Sequence, residues 1–344
     1  MIHKMLQTHQ ARIRCAVGAA ARALATLTPA ALALDSKANA ALKFWQAWAQ
    51  ISPQALDALG EVDTAAISQP QWTAPEALIG SEALNKPLIG ALERAALMEQ
   101  SDFGIEYDQW PNTIIAHLTP MRNGAKLLAI NARIAVDAGD HAGAARSLAA
   151  GYAMARHSSA DGTMIGSLVG VAIFTMTDSV AAYSVEKGAL DANERAEIRR
   201  ALEGFASTDP FGIRRAFAVE RDLFTGWLRS VGAAGDDQHV AQRIIAALTP
   251  LVPNADDLKG LENALAGREA LSDQLALYGV FFDQVLAAWE RPGAGDTLAE
   301  LQKGAQSGAF GGFVQLVAPS LTRLHERDLT SRAALQEARR RMEK

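Results

Sequence analysis

The chain has 344 residues, 49% of them apolar and 21% charged, with a formal charge of −5, so it is long enough to bury a substantial core. Lys4, Arg12, Arg14 and Arg22 are the only charges in the first 34 residues; without them 29 of the 33 basic residues face 38 acidic ones. That balance excludes the basic stripe of a nucleic-acid groove.

Residues 1–33 have the order of a secretory signal: a basic front, an Ala/Leu-rich stretch interrupted by Arg22, Pro29, and a small-x-small site at Ala31-Leu32-Ala33. Export to the periplasm or cell envelope, with cleavage near Ala33, is the expectation. The alternative is an amphipathic helix of a cytoplasmic protein. The one cysteine, Cys15, follows Arg12-Ile13-Arg14 and not the small apolar residues of a lipoprotein signal. A chain that loses it has no disulfide and no cysteine metal ligand. No stretch approaches about 20 uninterrupted apolar residues, so no integral membrane segment is expected after processing.

The remainder, residues 35–344, reads as a single all-helical domain. Ala-rich composition favours helix, and alternating strand patterns are essentially absent. Asn39 to Gln50 forms a short aromatic helix with Phe44, Trp45 and Trp48. Residues 51–76, rich in Pro, Gly, Ser and Thr, read as a long connector. A helix follows from Glu82 to Glu99, bent near Pro87. Asp102 to Pro111 is a loop whose Phe103, Tyr107 and Trp110 can pin against the core.

Three consecutive helices come next: Asn112–Ala138, His141–His157 and Asp161–Lys187. Gly139 ends the first and Asp140 caps the second. The third is apolar on every side, with Gly162, Gly166 and Gly170 four residues apart, as in helices whose neighbours approach closely. Asp191-Ala-Asn-Glu194 has the form of a capping box and opens a helix to Phe205. Further helices are expected at Asp209–Val231, Gln238–Leu248, Asp256–Glu290 (broken near Gly267), Thr297–Gln306 and Gly312–Met342. Arg339, Arg340 and Arg341 near the end read as a solvated terminus that favours the helix dipole.

Chemical motifs are scarce. His325-Glu326 lacks the second histidine of a zinc protease, and Ser184-Val-Glu-Lys187 lacks the elements that accompany S-x-x-K. No phosphate loop, dinucleotide fingerprint or calcium loop is present. His117, His141 and His157 are spread over two helices and a turn, and His141 is expected to pack at the hairpin. No metal or other cofactor is expected.

One constellation remains. Ile213, Phe217, Phe224, Trp227 and Leu228 make an apolar stripe, and Glu220 falls in its middle. Such a carboxylate either pairs with an arginine (Arg133, Arg146, Arg214 or Arg215) or is held neutral as an acid/base group. Asp178, in line with Val171 and Phe174, is a second case. A Glu220–Asp178 pair would form an acid/base or carboxylate metal site.

The hairpin around Leu128, Ala132, Gly139, Asp140, Ala144, Leu148 and Gly151 resembles a single tetratricopeptide-type unit. The start Asn39-Ala-Ala-Leu-Lys-Phe-Trp45 and the run Ala132-Arg-Ile-Ala-Val-Asp-Ala-Gly-Asp140 resemble an uncharacterised family of exported bacterial all-helical proteins. The resemblance implies a fold and export; its motifs are packing motifs and imply no mechanism. The expectation is therefore stacked antiparallel helical hairpins, tetratricopeptide-like in the middle: an irregular α-solenoid or bundle. Function follows as a non-enzymatic scaffold for a protein or peptide partner. The alternative is an enzyme or small-ligand-binding protein with an acidic internal pocket around Glu220.

Overall fold

The computed structural model describes residues 39–252, 258, 261–318 and 320–344, and the expected signal segment 1–33 lies outside them. Among the described residues the regular structure is helical throughout. The centre is α6, His141–Ser159, flanked by α4 (Lys86–Ala96), α5 (Leu118–Asp137), α7 (Met164–Glu186) and α8 (Ala192–Glu203). Its sequence is small on every face, so Ala144, Ala145, Ala149, Ala150 and Ala153 are all buried. A helix this slim admits close neighbours on all sides. Gly151 faces the Thr177 hydroxyl, and a Cβ on Gly170 would overlap the Ser159 hydroxyl and meet the Ala155 carbonyl at 2.7 Å.

Before this centre lie α1 (Ala40–Trp48), α2 (Pro53–Gly60) and the short α3 (Glu76–Ile79). After it come α9 (Ile213–Ala233), α10 (Val240–Leu248), α11 (Leu261–Ala264), α12 (Arg268–Ala288), α13 (Ala294–Gln306), α14 (Gly311–Val317) and α15 (Leu321–Glu343). α9 bridges the centre to the C-terminal helices by packing on α7, α10 and α12. α15 returns along the stack to touch α7 and α8. Residues 40–344 form one compact unit.

Local chemistry accounts for most boundaries. The α5–α6 turn is as expected: Gly139 takes φ +77, and the Asp140 carboxylate accepts the Gly143 N–H at 2.9 Å. The capping box at Asp191 and Glu194 is complete. Other boundaries differ. The connector is not without helix, because Ser52-Pro53 supplies an N-cap and a proline in the first turn of α2. Pro87 does not bend a helix but sits in the first turn of α4, which Asn85 caps. The expected helix 112–138 starts at Leu118, and the expected helix 161–187 starts at Met164, capped by Thr163. Gly162 therefore lies in the turn, with φ +79, and only Gly166 and Gly170 remain on the helix face. The expected helix 312–342 is two, since Ala318 precedes a proline and turns to ψ 121. His141 is exposed, not packed.

The stretch after α2 is held by two buried cations of α5. Lys126 Nζ donates to the Leu59 and Val62 carbonyls at 2.9 and 3.2 Å. The Arg133 guanidinium, 2% exposed, donates to the carbonyls of Ile67, Gln69, Pro70 and Trp72 and to Asp137, and its centre lies 3.9 Å from the centroid of the Tyr183 ring. Among the described residues α7 is the one helix long and apolar enough to cross a membrane. Here it packs against α5, α6, α9 and α15.

Candidate functional site

The apolar stripe of α9 forms as its spacing requires, with Ile213, Phe217, Phe224 and Leu228 buried. Glu220 is half-buried among them, and its partner is not an arginine. Its Oε1 accepts the backbone N–H of Met164, the first residue of α7, at 2.7 Å. Backbone N–H groups at a helix start have no partner within the helix, and the dipole there favours a negative charge. Among the described residues no lysine or arginine hydrogen-bonds Glu220. Arg133 is committed to the connector, and Arg215 donates to the Ser159 carbonyl at 2.8 Å. Burial pushes the Glu220 pKa up; the Met164 bond works against this, and the charge of Asp161 adds to it.

Asp178 meets a different environment. Its Oδ1 accepts from the Tyr152 hydroxyl and from Arg341 Nη1, both at 2.8 Å. The Arg341 and Asp178 side chains are 20% and 16% exposed. Burial works against the Arg341 charge, and Asp178, helped by Tyr152 and Glu337, more than offsets it, so the guanidinium pKa is raised. Asp178 thus ties α6, α7 and α15 together. The expected solvated terminus is instead a docking element, since Arg339 also donates to the Leu202 and Phe205 carbonyls at 2.9 and 3.2 Å; Arg340 stays outside with Glu337.

The expected Glu220–Asp178 pair does not form. Glu220 meets α7 at Met164, and Asp178 lies 14 residues further on, about 21 Å along the axis at the helical rise. Glu220 has a carboxylate neighbour of another origin, Asp161, in the turn between α6 and α7.

Asp161 is the centre of a site that the sequence did not display. Its Oδ1 accepts the Thr163 N–H at 2.8 Å and the Thr163 hydroxyl at 3.0 Å. Its Oδ2 accepts no hydrogen bond. His117 Nε2 lies 3.4 Å from that oxygen, with the two side chains 3% and 2% exposed, and is itself without a hydrogen bond. Phe103 stacks on the His117 ring, with centroids 4.2 Å apart and planes 15° from parallel. The Tyr107 hydroxyl donates to the Asp161 carbonyl.

The loop that supplies these aromatics, residues 101–107, roofs a cavity of about 290 Å³ whose wall includes Ser101, Asp102, Phe103, Tyr107, His157 and Asp161. Ser101 Oγ is a third buried polar atom without a hydrogen bond. His157 Nε2 contacts the Ala96 carbonyl at 2.9 Å. Burial, helped by the Arg156 charge, pushes the His157 pKa down to about 4, so this imidazole is neutral at pH 7. The aromatic loop was legible as a pinning loop; its closure over Asp161 was not. Ser101, His117 and Asp161 are separated by 16 and 44 residues, and no spacing rule joins them.

His117 and His157 meet this region from opposite sides of Phe44 and Phe103. His141 is at the far end of α6, 16 residues from His157 and so about 24 Å away. Among the described residues no three His, Cys, Asp or Glu side chains converge on a metal position. Compared with known protein families, curated proteins and solved structures, the chain matches none.

Proposed function

We propose that the chain is a non-enzymatic helical scaffold that receives a protein or peptide partner at the α6–α7 turn, under the loop of residues 101–107. One observation carries the reading: Asp161, a residue of the cavity wall, has a side chain 2% exposed whose Oδ2 accepts no hydrogen bond and has only His117 Nε2, at 3.4 Å, beside it. Buried polar groups are nearly always satisfied by protein, water or ligand. A binding role is favoured over catalysis because the components are fixed: Thr163 holds Asp161, and Phe103 covers His117. Export to the periplasm or envelope belongs to the same proposal. N-terminal sequencing from the native host tests it, and an intact Met1 on cytoplasmic material overturns it.

The test of the binding site uses Ala160→Leu, which adds bulk at an exposed position in the cavity wall. Wild type should capture a reproducible partner from envelope extract, and the variant should lose it. Equal capture by both removes the cavity from the proposal.

The second reading, an enzyme or small-ligand-binding protein with an acidic internal pocket, draws on Glu220. It has no cation at hydrogen-bonding distance and lies beside Asp161. In this reading the pocket is centred on Asp161 and a free small molecule fills it.

A further inference from the structure

We infer that His117 and Asp161 form a proton-operated latch that closes the loop of residues 101–107 as pH falls; its use rests on the cavity being the binding site, and its test does not. The first argument is the geometry of the pair. His117 Nε2 and Asp161 Oδ2 are both buried, face each other at 3.4 Å, and neither makes a hydrogen bond. A charge-assisted N–H···O bond is about 2.7–2.9 Å long, so the pair stands slightly open. One added proton turns the contact into an imidazolium–carboxylate bond, since both ring nitrogens of a charged histidine donate.

The second argument is charge. The Asp161 carboxylate bears on Glu220, and among the described residues no lysine or arginine pairs with either. Arg215, whose charge reaches Tyr107 together with that of Asp102, is spent on the Ser159 carbonyl. On its other side His117 meets Phe44, Trp45 and Trp48 of α1, Leu92 of α4, and Pro120 and Met121 of α5, which carry no charge. An imidazolium therefore reduces the negative charge of a cluster that water screens poorly.

The third argument is the link to the loop, which rests on both members of the pair. Phe103 stacks on the His117 ring, and an aromatic face attracts a cation. The Tyr107 hydroxyl donates to the Asp161 carbonyl. Opening the loop takes Phe103 off the ring and lets water solvate Asp161. The closed form thus holds the proton more tightly than the open one, and falling pH favours closure. His157, beneath the same loop, works in the opposite sense: burial holds it neutral, with its pKa down to about 4, so opening lets it take up a proton. Entry to the cavity is then easier in alkali than in acid.

The experiment measures hydrogen exchange of the full chain from about pH 8 to about pH 6, corrected for the pH dependence of unprotected amides, while nitrogen NMR follows the His117 ring. Protection of residues 103–107 should rise about threefold and track that ring, with α12 unchanged. The rise should be larger in His157→Gln. It should vanish in His117→Gln and in Asp161→Asn, which keeps an acceptor for Thr163. Phe103→Leu should leave the His117 titration in place and weaken the loop response. Protection that is flat or falls in His157→Gln, an equal rise in His117→Gln, or a loop transition that does not follow the His117 ring overturns the inference. If His117→Gln does not fold, the comparison of ring and loop in wild type decides. Partner capture that ignores pH while the loop responds keeps the latch and removes the cavity as the binding site.

Discussion

The two stations of α7 hold three carboxylates, one at Asp178 and two at the start of the helix, in opposite surroundings. At Asp178 the charge is met by Arg341 and by the Tyr152 hydroxyl, so three helices close around a compensated pair. At the start of the helix, Glu220 and Asp161 crowd together with only backbone N–H groups, a hydroxyl and a histidine beside them. A compensated charge is a strut, because removing either partner leaves the other exposed to an apolar interior. An uncompensated one is a place where a proton or a ligand has a thermodynamic reason to arrive.

The largest expected effect falls on the compensated end. Asp178→Ala leaves Arg341 and Tyr152 without their acceptor and should lower the unfolding free energy in urea by about 3–4 kcal/mol. Asp178→Asn should lower it less, since the amide still accepts from the tyrosine. A double-mutant cycle with Arg341→Ala should show strong coupling. Additive effects would dissolve the contrast between the two ends.

An acid titration sharpens it. His157 is held neutral, with its pKa lowered from 6.5 to about 4. The unfolded chain therefore takes up a proton first as pH falls. The stability it contributes is complete above about pH 6.5, is lost on the way down to pH 4, and amounts to at most about 3 kcal/mol. Unfolding free energies measured across this window should fall in wild type and fall less in His157→Gln.

Glu220 gives the smallest effect and the opposite sign. Its folded pKa is raised, so its contribution is present below its unfolded value of 4.5 and is lost as pH rises through the folded one. Glu220→Gln keeps an acceptor for Met164 and should be slightly more stable than wild type at pH 7, with the advantage gone near pH 4. Glu220→Ala leaves that N–H open and should differ from Gln by about 1 kcal/mol. A loss of several kcal/mol in both variants at pH 7 would mean that Glu220 is a strut after all.

Most of the long helices, the Gly139-Asp140 turn and the α9 stripe were legible because each is written in residues a few positions apart, whereas the starts at Leu118 and Met164, the helix in the connector and the break at Ala318 were not. The isolation of Glu220 in that stripe was legible for the same reason. Its partner was not: Met164 contributes a backbone N–H, which every non-proline residue has, from 56 positions away. Arg341 looked solvated because a terminal basic run usually is, and only the return of α15 along α7 brings it to Asp178. The Asp161 site was hidden more deeply, since Asp161-Gly-Thr163 reads as a turn until the loop of residues 101–107 is folded over it.

The connector held by Lys126 and Arg133 has a consequence for how the protein meets proteases. Residues 61–75 lack a regular helix, and such segments are the usual points of nicking. A protease must draw several residues into extended form, and here Leu59, Val62, Ile67, Gln69, Pro70 and Trp72 are all tethered to α5. Cutting after Glu61 or Trp72 therefore requires α5 to release them, which should slow nicking of this irregular stretch. With Arg133→Ala the cut at Trp72 should become fast while the cut at Glu61, still guarded by Lys126, stays slow.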